Sequence, residues 1–147
     1  MLKVSTRVRY GVRALTQIAA AFPGSVSVKE IGREQQVSPK YLEQIVSALK
    51  SAGLVRSARG MQGGYALSRP PKTMRLSEAV QALEGPPVIV ECVNDLKACS
   101  RYETCSTRDV WVKIRGAVNE ILENTTLDDL VENQRSKVGS PPPSYVI

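Results

Sequence analysis

The stretch "SPKYLEQIVSALKSAG", residues 38–53, decides the fold of this chain. A serine before a proline is typical of a helix start, because the serine side chain caps the first turn and proline is tolerated at the first helical position. Gly53 stands where a left-handed residue would end the helix. Apolar residues at i, i+3, i+4 and i+7 predict one buried face: Leu42, Ile45, Val46 and Leu49. The other face is polar and points outward: Lys40, Tyr41, Gln44 and Ser47.

Two further helices are predicted before this one. Residues 6–21 carry apolar side chains at three- to four-residue spacing, opposed by a basic side with Arg7, Arg9 and Arg13, and "FPG" ends this first helix. Ser27 and Glu30 have capping-box spacing and begin a short helix that runs to about residue 35. Only about three residues then separate two helices, which indicates a helix-turn-helix whose second helix enters the DNA major groove.

The polar face of the helix at residues 38–53 suits that use. Gln44 can bond base edges and prefers adenine when it makes two hydrogen bonds. Lys40 and the free N-terminal amides suit phosphate, and Tyr41 suits phosphate, sugar or a thymine methyl group. An ordinary solvated helix face is the alternative interpretation.

A hairpin is predicted directly after this helix. Residues 54–57 and 65–67 have the pattern of short strands, and the glycine-rich turn "ARGMQGG" joins them, which is a winged-helix layout. Arg59 at the tip would enter a minor groove, and Gly60, Gly63 and Gly64 permit the tight backbone. The turn lacks the Gly-Lys-Ser/Thr ending of a phosphate loop, so nucleotide binding is not expected.

Charge is divided unevenly along the 147 residues. The formal net charge is +6, but residues 1–75 hold 13 Lys and Arg against 3 Glu, whereas residues 76–147 hold 7 against 11 Asp and Glu. A basic half joined to an acidic half favours a polyanionic partner, most simply nucleic acid. The chain has no His, which removes the usual Ser-His-Asp and Cys-His catalytic groups, so we do not expect an enzyme. No apolar run approaches the roughly 20 residues of a membrane span, and a cytoplasmic location is expected.

A long helix is predicted near the C-terminus. Its broad apolar stripe is too large for a lone exposed helix: Val110, Trp111, Ile114, Ala117, Val118, Ile121 and Leu122. Packing on the same chain is one explanation. We favour a symmetric second copy, because it also supplies the second recognition helix that a near-palindromic DNA site requires. Thr126 caps a short final helix, and residues 138–147 are expected to form a disordered, proline-rich tail.

Three cysteines lie within fourteen residues in the pattern C-x6-C-x5-C: Cys92, Cys99 and Cys105. Inert buried thiols normally have apolar neighbours, so this polar setting favours metal ligands or reactive thiols. Thiolates select iron–sulfur clusters, zinc or copper(I), and the spacing differs from the Cys-x-x-Cys pairs of structural zinc. Metal-free thiols are the main alternative.

Several of these segments together resemble one protein family. They are "RYGVRAL", "VSPKYLEQIVSALKSAGLVRSARGMQGGYAL", "LSEAVQALEG", the three-cysteine loop and "TLDDLVENQ", within about residues 1–134. They are similar to the IscR/NsrR/CymR class of bacterial winged-helix transcription regulators, the Rrf-two family. The resemblance implies a homodimer that binds double-stranded DNA at a near-palindromic operator. It places Glu43 near the bases, where repulsion would exclude some DNA sequences. It also implies two sets of DNA contacts: Ser38, Pro39, Lys40, Tyr41 and Gln44 in the major groove, and Arg59 with Gly60 in the wing.

The resemblance also implies a cofactor. In that family a three-cysteine loop at this place binds a [2Fe-2S] or [4Fe-4S] iron–sulfur cluster, which makes Cys92, Cys99 and Cys105 the expected metal ligands. The fourth ligand departs from the family, because Arg108 stands where the biogenesis regulator has histidine, and Arg9 stands where other relatives have an acidic residue. Asp109 is the nearest carboxylate in sequence, although it also has capping-box spacing with Ser106. The other candidates for a fourth ligand are Ser106, Thr107, Glu91 and Glu103.

The sequence therefore predicts a mainly α fold with a small β-hairpin wing, namely a winged helix-turn-helix domain plus a long C-terminal dimerisation helix. The predicted segments are the DNA-binding domain at 1–84, a cysteine-rich cluster-binding loop at 85–108, the dimerisation and terminal helices at 109–137, and the tail. The predicted function is a homodimeric transcription regulator that senses iron–sulfur status or redox or nitrosative stress. The alternatives are a metal-free regulator controlled by thiol oxidation or by a metabolic enzyme, an electron-transfer or cluster-carrier protein, and an RNA-binding winged helix.

Overall fold

The computed structural model describes residues 3–60 and 63–139. Within them, helices and short strands follow one another in this order: α1 (Thr6–Ala20), β1 (Ser25–Val26), α2 (Val28–Gln35), α3 (Pro39–Ser51), β2 (Val55–Ser57), β3 (Tyr65–Leu67), α4 (Leu76–Glu84), α5 (Glu91–Asn94), α6 (Ser106–Asn124) and α7 (Leu127–Val138). Single 3-10 turns lie at Pro71–Thr73 and Leu96–Ala98. The mainly α fold with a hairpin wing that the sequence predicts is confirmed.

Helix α3 begins and ends as its sequence predicts. The Ser38 hydroxyl accepts the backbone N–H of Tyr41 at 3.3 Å. At the other end Gly53 has φ +77°, and its N–H donates to the Lys50 carbonyl at 2.9 Å. The N–H of Leu54 donates to the Leu49 carbonyl at 3.0 Å, which completes a Schellman motif. These caps fix which residues form the first turn of α3.

The turn between α2 and α3 is short and rigidly defined. Gln36 adopts the left-handed conformation with φ 56°. The N–H of Val37 donates to the Gly32 carbonyl at 3.1 Å, and Ser38 follows as the cap of α3. Only residues 36–38 separate the two helices, so the start of α3 lies close to the end of α2.

The wing belongs to a three-stranded antiparallel sheet with the order β1-β3-β2. Val55 lies opposite Leu67 in the hairpin, and Val26 of β1 lies opposite Tyr65 on the other edge of β3. The sequence predicted β2 and β3 but not β1, because a two-residue strand has no alternation to recognise. The tip residues 61 and 62 lie outside the described residues.

The hydrophobic core lies between α1, α3, the sheet, α4 and α7. Its largest fully buried side chains come from α1, α2, α3, β3, the segment before α4 and α7: Leu15, Ile18, Ile31, Leu42, Ile45, Leu49, Leu67, Met74 and Leu127. Helix α4 adds Ala79 and Leu83. Helix α7 is part of this core, although the sequence analysis grouped it with the dimerisation helix in the segment 109–137. Backbone hydrogen bonds join the start of α7 to the start of α4. The Leu76 N–H donates to the Thr125 carbonyl at 2.8 Å, and the Leu127 N–H donates to the Met74 carbonyl at 2.9 Å.

Helix α6 differs from the others because none of its residues is buried. Val110 is 51% exposed and Ile121 is 64% exposed. The helix begins at Ser106 with Cys105 as its N-cap and has no side-chain cap, so the capping box predicted for Ser106 and Asp109 is wrong. At the other end of the chain α7 continues through Val138, which the sequence assigned to the tail, and residues 140–147 lie outside the described residues.

Candidate nucleic-acid interface

The first turns of α3 present a polar, solvent-facing surface, which we call the recognition face. Five of the predicted DNA contacts are exposed there: Ser38, Pro39, Lys40, Glu43 and Gln44. Within the described residues neither Lys40 nor Glu43 takes part in an ion pair, so their charges are available to a partner. The backbone of this turn is fixed by the Ser38 cap, and the apolar side of α3 is fully buried. The face is therefore both accessible and held in place.

Tyr41 differs from its expected orientation. The sequence placed it outward, whereas its side chain is half-buried and packs against the core. Its ring meets the ring of Tyr10 edge to face, with 6.3 Å between the ring centroids. Edge-to-face pairs of this kind add stability beyond burial, so Tyr41 joins α3 to α1 as well as standing at the edge of the recognition face.

Helix α1 adds basic residues that the sequence analysis did not assign to a site. The guanidinium carbons of Arg9 and Arg13 lie 5.9 Å and 5.5 Å from the Tyr10 ring centroid, which is within cation–π range. Arg13 also donates from Nε to Oε1 of Gln35 at 2.8 Å. The three-residue spacing of Tyr10 and Arg13 is visible in the sequence, but the contact with α2 is not, because it depends on the packing of the helices.

The wing carries the remaining predicted contacts, Arg59 and Gly60, and both are exposed. The hairpin closes by a hydrogen bond from the Ala58 N–H to the Gly64 carbonyl at 2.9 Å. Gly64 has φ +131°, and a Cβ atom there would lie 2.6 Å from the Val26 carbonyl oxygen. Only glycine tolerates both the positive φ and the close approach of the Val26 carbonyl, so Gly64 lets the wing pass close to β1.

The three cysteines are free thiols, and each is half-buried. Within residues 3–60 and 63–139, no three or more Cys, Asp or Glu side chains come together in a way that could hold a metal ion. In this arrangement the predicted ligands Cys92, Cys99, Cys105 and Asp109 are therefore not gathered into one group. Asp109 is exposed in the first turn of α6.

Cys105 has the most distinctive environment of the three. Its Sγ lies 3.2 Å from the Thr107 hydroxyl at the start of α6. A hydrogen bond from that hydroxyl, helped by the backbone N–H groups of Arg108 and Thr107, lowers the pKa of the Cys105 thiol, while desolvation and the charge of Asp109 oppose this. A thiol at a helix N-terminus with a lowered pKa is more easily oxidised or bound by a soft metal than an ordinary one.

Two arginines of α6 hold the first part of the cysteine loop. Arg108, which stands where the sequence departs from the family's histidine ligand, donates from Nε to the Cys92 carbonyl at 3.3 Å. Arg115 donates to the Val93 carbonyl at 2.7 Å and to the Asn94 side chain at 3.2 Å. A rearrangement of the loop around Cys92 would therefore alter its hydrogen bonds to α6.

A broad apolar groove of about 1000 Å³ lies beside α6. Its walls come from the residues before α1, from α1, α4 and the segment after α4, and from α6 itself: Val4, Val8, Val12, Leu76, Val80, Val88, Ile89, Val118 and Leu122. Lys3, Arg9, Arg13 and Glu84 also line it. Because Val118 and Leu122 belong to the apolar stripe of α6, the groove and the stripe form one continuous exposed surface.

Comparison with known proteins assigns this architecture to a family. The family model described as Rrf2, iron-dependent transcriptional regulator, matches residues 4–133. The chain belongs to the Rrf2 family of transcriptional regulators. It is 40% identical over 130 residues to the HTH-type transcriptional regulator CymR of Bacillus subtilis, covering 88% of this chain and 89% of that protein.

Two solved structures agree with this placement in the Rrf2 family. The structure of B. subtilis CymR, described as the global cysteine regulator, has a TM-score of 0.76 at 39% identity and covers 90% of this chain and 98% of that one. The structure of IscR from T. potens has a TM-score of 0.74 at 34% identity and covers 98% of this chain and 95% of that one. The winged-helix prediction and the family resemblance are both confirmed.

Among the helices of residues 3–60 and 63–139, none combines the length and the apolar character that a membrane span requires.

Proposed function

We propose that this Rrf2-family protein is a homodimeric regulator that binds a near-palindromic DNA operator through the recognition face. The observation that carries the proposal is the capped first turn of α3, which leaves Lys40 and Gln44 exposed on a helix whose other side is fully buried. A rigid helix with exposed hydrogen-bonding groups at its N-terminal end is what major-groove reading requires. The exposed Arg59 of the wing supplies a second contact in the minor groove.

The dimer is supported by the uncovered apolar surface. Helix α6 has no buried residue in the single chain, and its stripe runs into the groove formed with α1 and α4. A surface of this extent in water is unfavourable, and a second copy related by a two-fold axis would cover it. The same axis would place two recognition helices on successive turns of DNA.

The test of this function is a selection from a pool of random DNA duplexes with the full-length chain. We expect enrichment of a two-fold symmetric sequence, with half-sites about one helical turn or a multiple of it apart. Fluorescence anisotropy should then show at least about 1000-fold tighter binding to the selected duplex than to a scrambled duplex of the same composition. Equal binding to both duplexes would contradict the proposal.

The cysteine loop is the proposed sensing element, and two chemistries compete for it. An iron–sulfur cluster on Cys92, Cys99 and Cys105 is supported by thiolate preference and by the relatives named IscR. Such a cluster requires the loop to rearrange from the arrangement described above. Control by metal-free thiols is supported by the hydrogen bond and lowered pKa of Cys105.

Spectroscopy separates these two chemistries. We would purify the protein without oxygen, record its visible absorption and measure its iron and sulfide. Thiolate-to-iron bands with matching iron and sulfide would support the cluster. The thiol mechanism would be supported by colourless, iron-free protein that binds the selected duplex and loses that binding after mild oxidation. The Cys105→Ser variant should then keep its binding after the same oxidation.

A further inference from the structure

Arg13 ties α1 to the end of α2 by a network of hydrogen bonds. Its Nε donates to Oε1 of Gln35 at 2.8 Å, and its Nη2 donates to the backbone carbonyl of Gln35 at 3.3 Å. Gln35 in turn donates from Nε2 to Oε1 of Gln17 on α1 at 2.9 Å. Both the side chain and the backbone carbonyl of Gln35 are therefore hydrogen-bonded to residues of α1.

This network lies where the geometry of the helix-turn-helix is decided. Gln35 is the last residue of α2, the left-handed Gln36 follows, and Ser38 already caps α3. The carbonyls at a helix C-terminus have no partner within the helix, and a cation there also interacts favourably with the helix dipole. Arg13 therefore stabilises the end of α2 in one orientation, and the short turn transmits that orientation to α3.

A second contact leads from Arg13 to the recognition helix. The Arg13 guanidinium lies 5.5 Å from the Tyr10 ring centroid, and the Tyr10 ring meets Tyr41 of α3 edge to face. Tyr41 stands between Lys40 and Leu42, so it is part of the first turns that form the recognition face. Arg13 is thus connected to α3 by two independent routes, one through Gln35 and one through Tyr10.

We propose that Arg13 is a positioning residue that orients the recognition helix for base reading and does not itself bind DNA. The inference rests on the proposed function, because it assumes that α3 reads bases. The competing explanation is that Arg13, an exposed cation, contacts a phosphate. A phosphate contact contributes equally to all sequences and raises the salt dependence of binding, whereas positioning affects the preference for the correct sequence.

The test compares variants of the full-length chain on the duplex that the wild type selects and on its scrambled version, each over a range of salt concentrations. The variants are Arg13→Ala, Arg13→Lys and Gln35→Ala. Arg9→Ala is the matched control for the hydrogen bonds to α2, because Arg9 is an exposed arginine of the same helix that also lies over the Tyr10 ring but has no hydrogen bond to α2 among the described residues. Circular dichroism and gel filtration check that each variant keeps the fold and the oligomeric state of the wild type.

We expect Arg13→Ala and Gln35→Ala each to lower the ratio of specific to non-specific affinity by about fivefold, which is the usual effect of losing one or two such hydrogen bonds. Arg13→Lys should lower the ratio similarly, because lysine keeps the charge but loses the two-nitrogen geometry. The salt slope of Arg13→Ala should match that of Arg9→Ala.

Other results would overturn the inference. If Arg13→Ala weakens binding to both duplexes equally and flattens its salt slope by about one more than Arg9→Ala does, and Arg13→Lys restores binding, Arg13 is a phosphate contact. Unchanged specificity in all three variants would also contradict positioning. If the wild type itself shows no preference between the duplexes, the proposed function fails together with this inference, and that result is seen before any variant is measured.

Discussion

At the scale of single residues, Lys40 is expected to contribute affinity without sequence preference. Its exposed side chain at the N-terminal end of α3 suits a phosphate, which carries no sequence information. Lys40→Ala should weaken binding to specific and scrambled duplexes by similar factors and should reduce the salt slope by about one. Lys50→Ala, at the far end of the same helix, is the control and should leave both quantities unchanged. A loss confined to the specific duplex would show that Lys40 reads bases.

Asp129 makes stability depend on pH through the cap of α7. Its carboxylate accepts the Thr126 N–H at 2.8 Å, and the Thr126 hydroxyl accepts the Asp129 N–H at 3.2 Å. The hydrogen bond from the Thr126 backbone lowers the pKa of Asp129, so its stabilisation is present above the ordinary pKa of an aspartate and is lost as the pH falls towards the lower folded value.

Asp129→Asn should therefore lower the melting temperature at pH 7, and the difference from wild type should shrink below about pH 4. Asp128→Asn is the control, since Asp128 lies in the same turn without the capping-box role. Thermal unfolding by circular dichroism measures both. A difference that is constant between about pH 3 and pH 7 would argue against the capping carboxylate.

At the scale of secondary-structure elements, the wing depends on Gly64. Its φ is +131°, and the Cβ atom of an alanine there would come within 2.6 Å of the Val26 carbonyl oxygen, which leaves no room for that side chain. Gly64→Ala should destabilise the fold by about 1 to 3 kcal/mol, because the strained backbone and the clash must both be accommodated. Gly60→Ala, where a Cβ atom meets open space, is the control. Urea unfolding measures the difference, and equal stabilities would contradict the close packing of the wing against β1.

The elements that could be predicted from the sequence are those that local signals define. Helix α3 has a serine cap, an apolar repeat and a C-terminal glycine, and the structure has its caps at those positions. Strand β1 was missed because it exists only through pairing with β3. The contact of Tyr41 with Tyr10, the hydrogen bonds of Arg13 and the place of α7 in the core depend on distant parts of the chain, which periodicity does not report. The cysteine pattern was visible, but the positions of the thiols in space were not.

At the scale of the whole molecule, the proposed dimerisation through α6 is the property on which DNA affinity should depend. Ile121 is 64% exposed in the single chain, although it belongs to the apolar stripe. Ile121→Glu should place a charge in the interface and shift the protein to monomers in sedimentation velocity. Binding to the two-fold symmetric duplex should weaken by about 100-fold, because the second half-site no longer binds within one assembly.

Asn119→Glu is the control for that change, since Asn119 is an exposed polar residue of the same helix outside the stripe. It should remain dimeric and bind like the wild type. If Ile121→Glu sediments like the wild type, the stripe is not the dimer interface, and the uncovered surface of α6 needs another partner.

The measurement that tests the central claim most directly is a parallel selection from random duplexes with the wild-type chain and with Gln44→Ala. We expect the wild type to enrich a two-fold symmetric sequence. Gln44→Ala should enrich the same sequence except at one symmetric pair of base pairs, where it loses about 1 to 3 kcal/mol of discrimination. Identical enriched sequences, or no enrichment by the wild type, would contradict base reading by the recognition face.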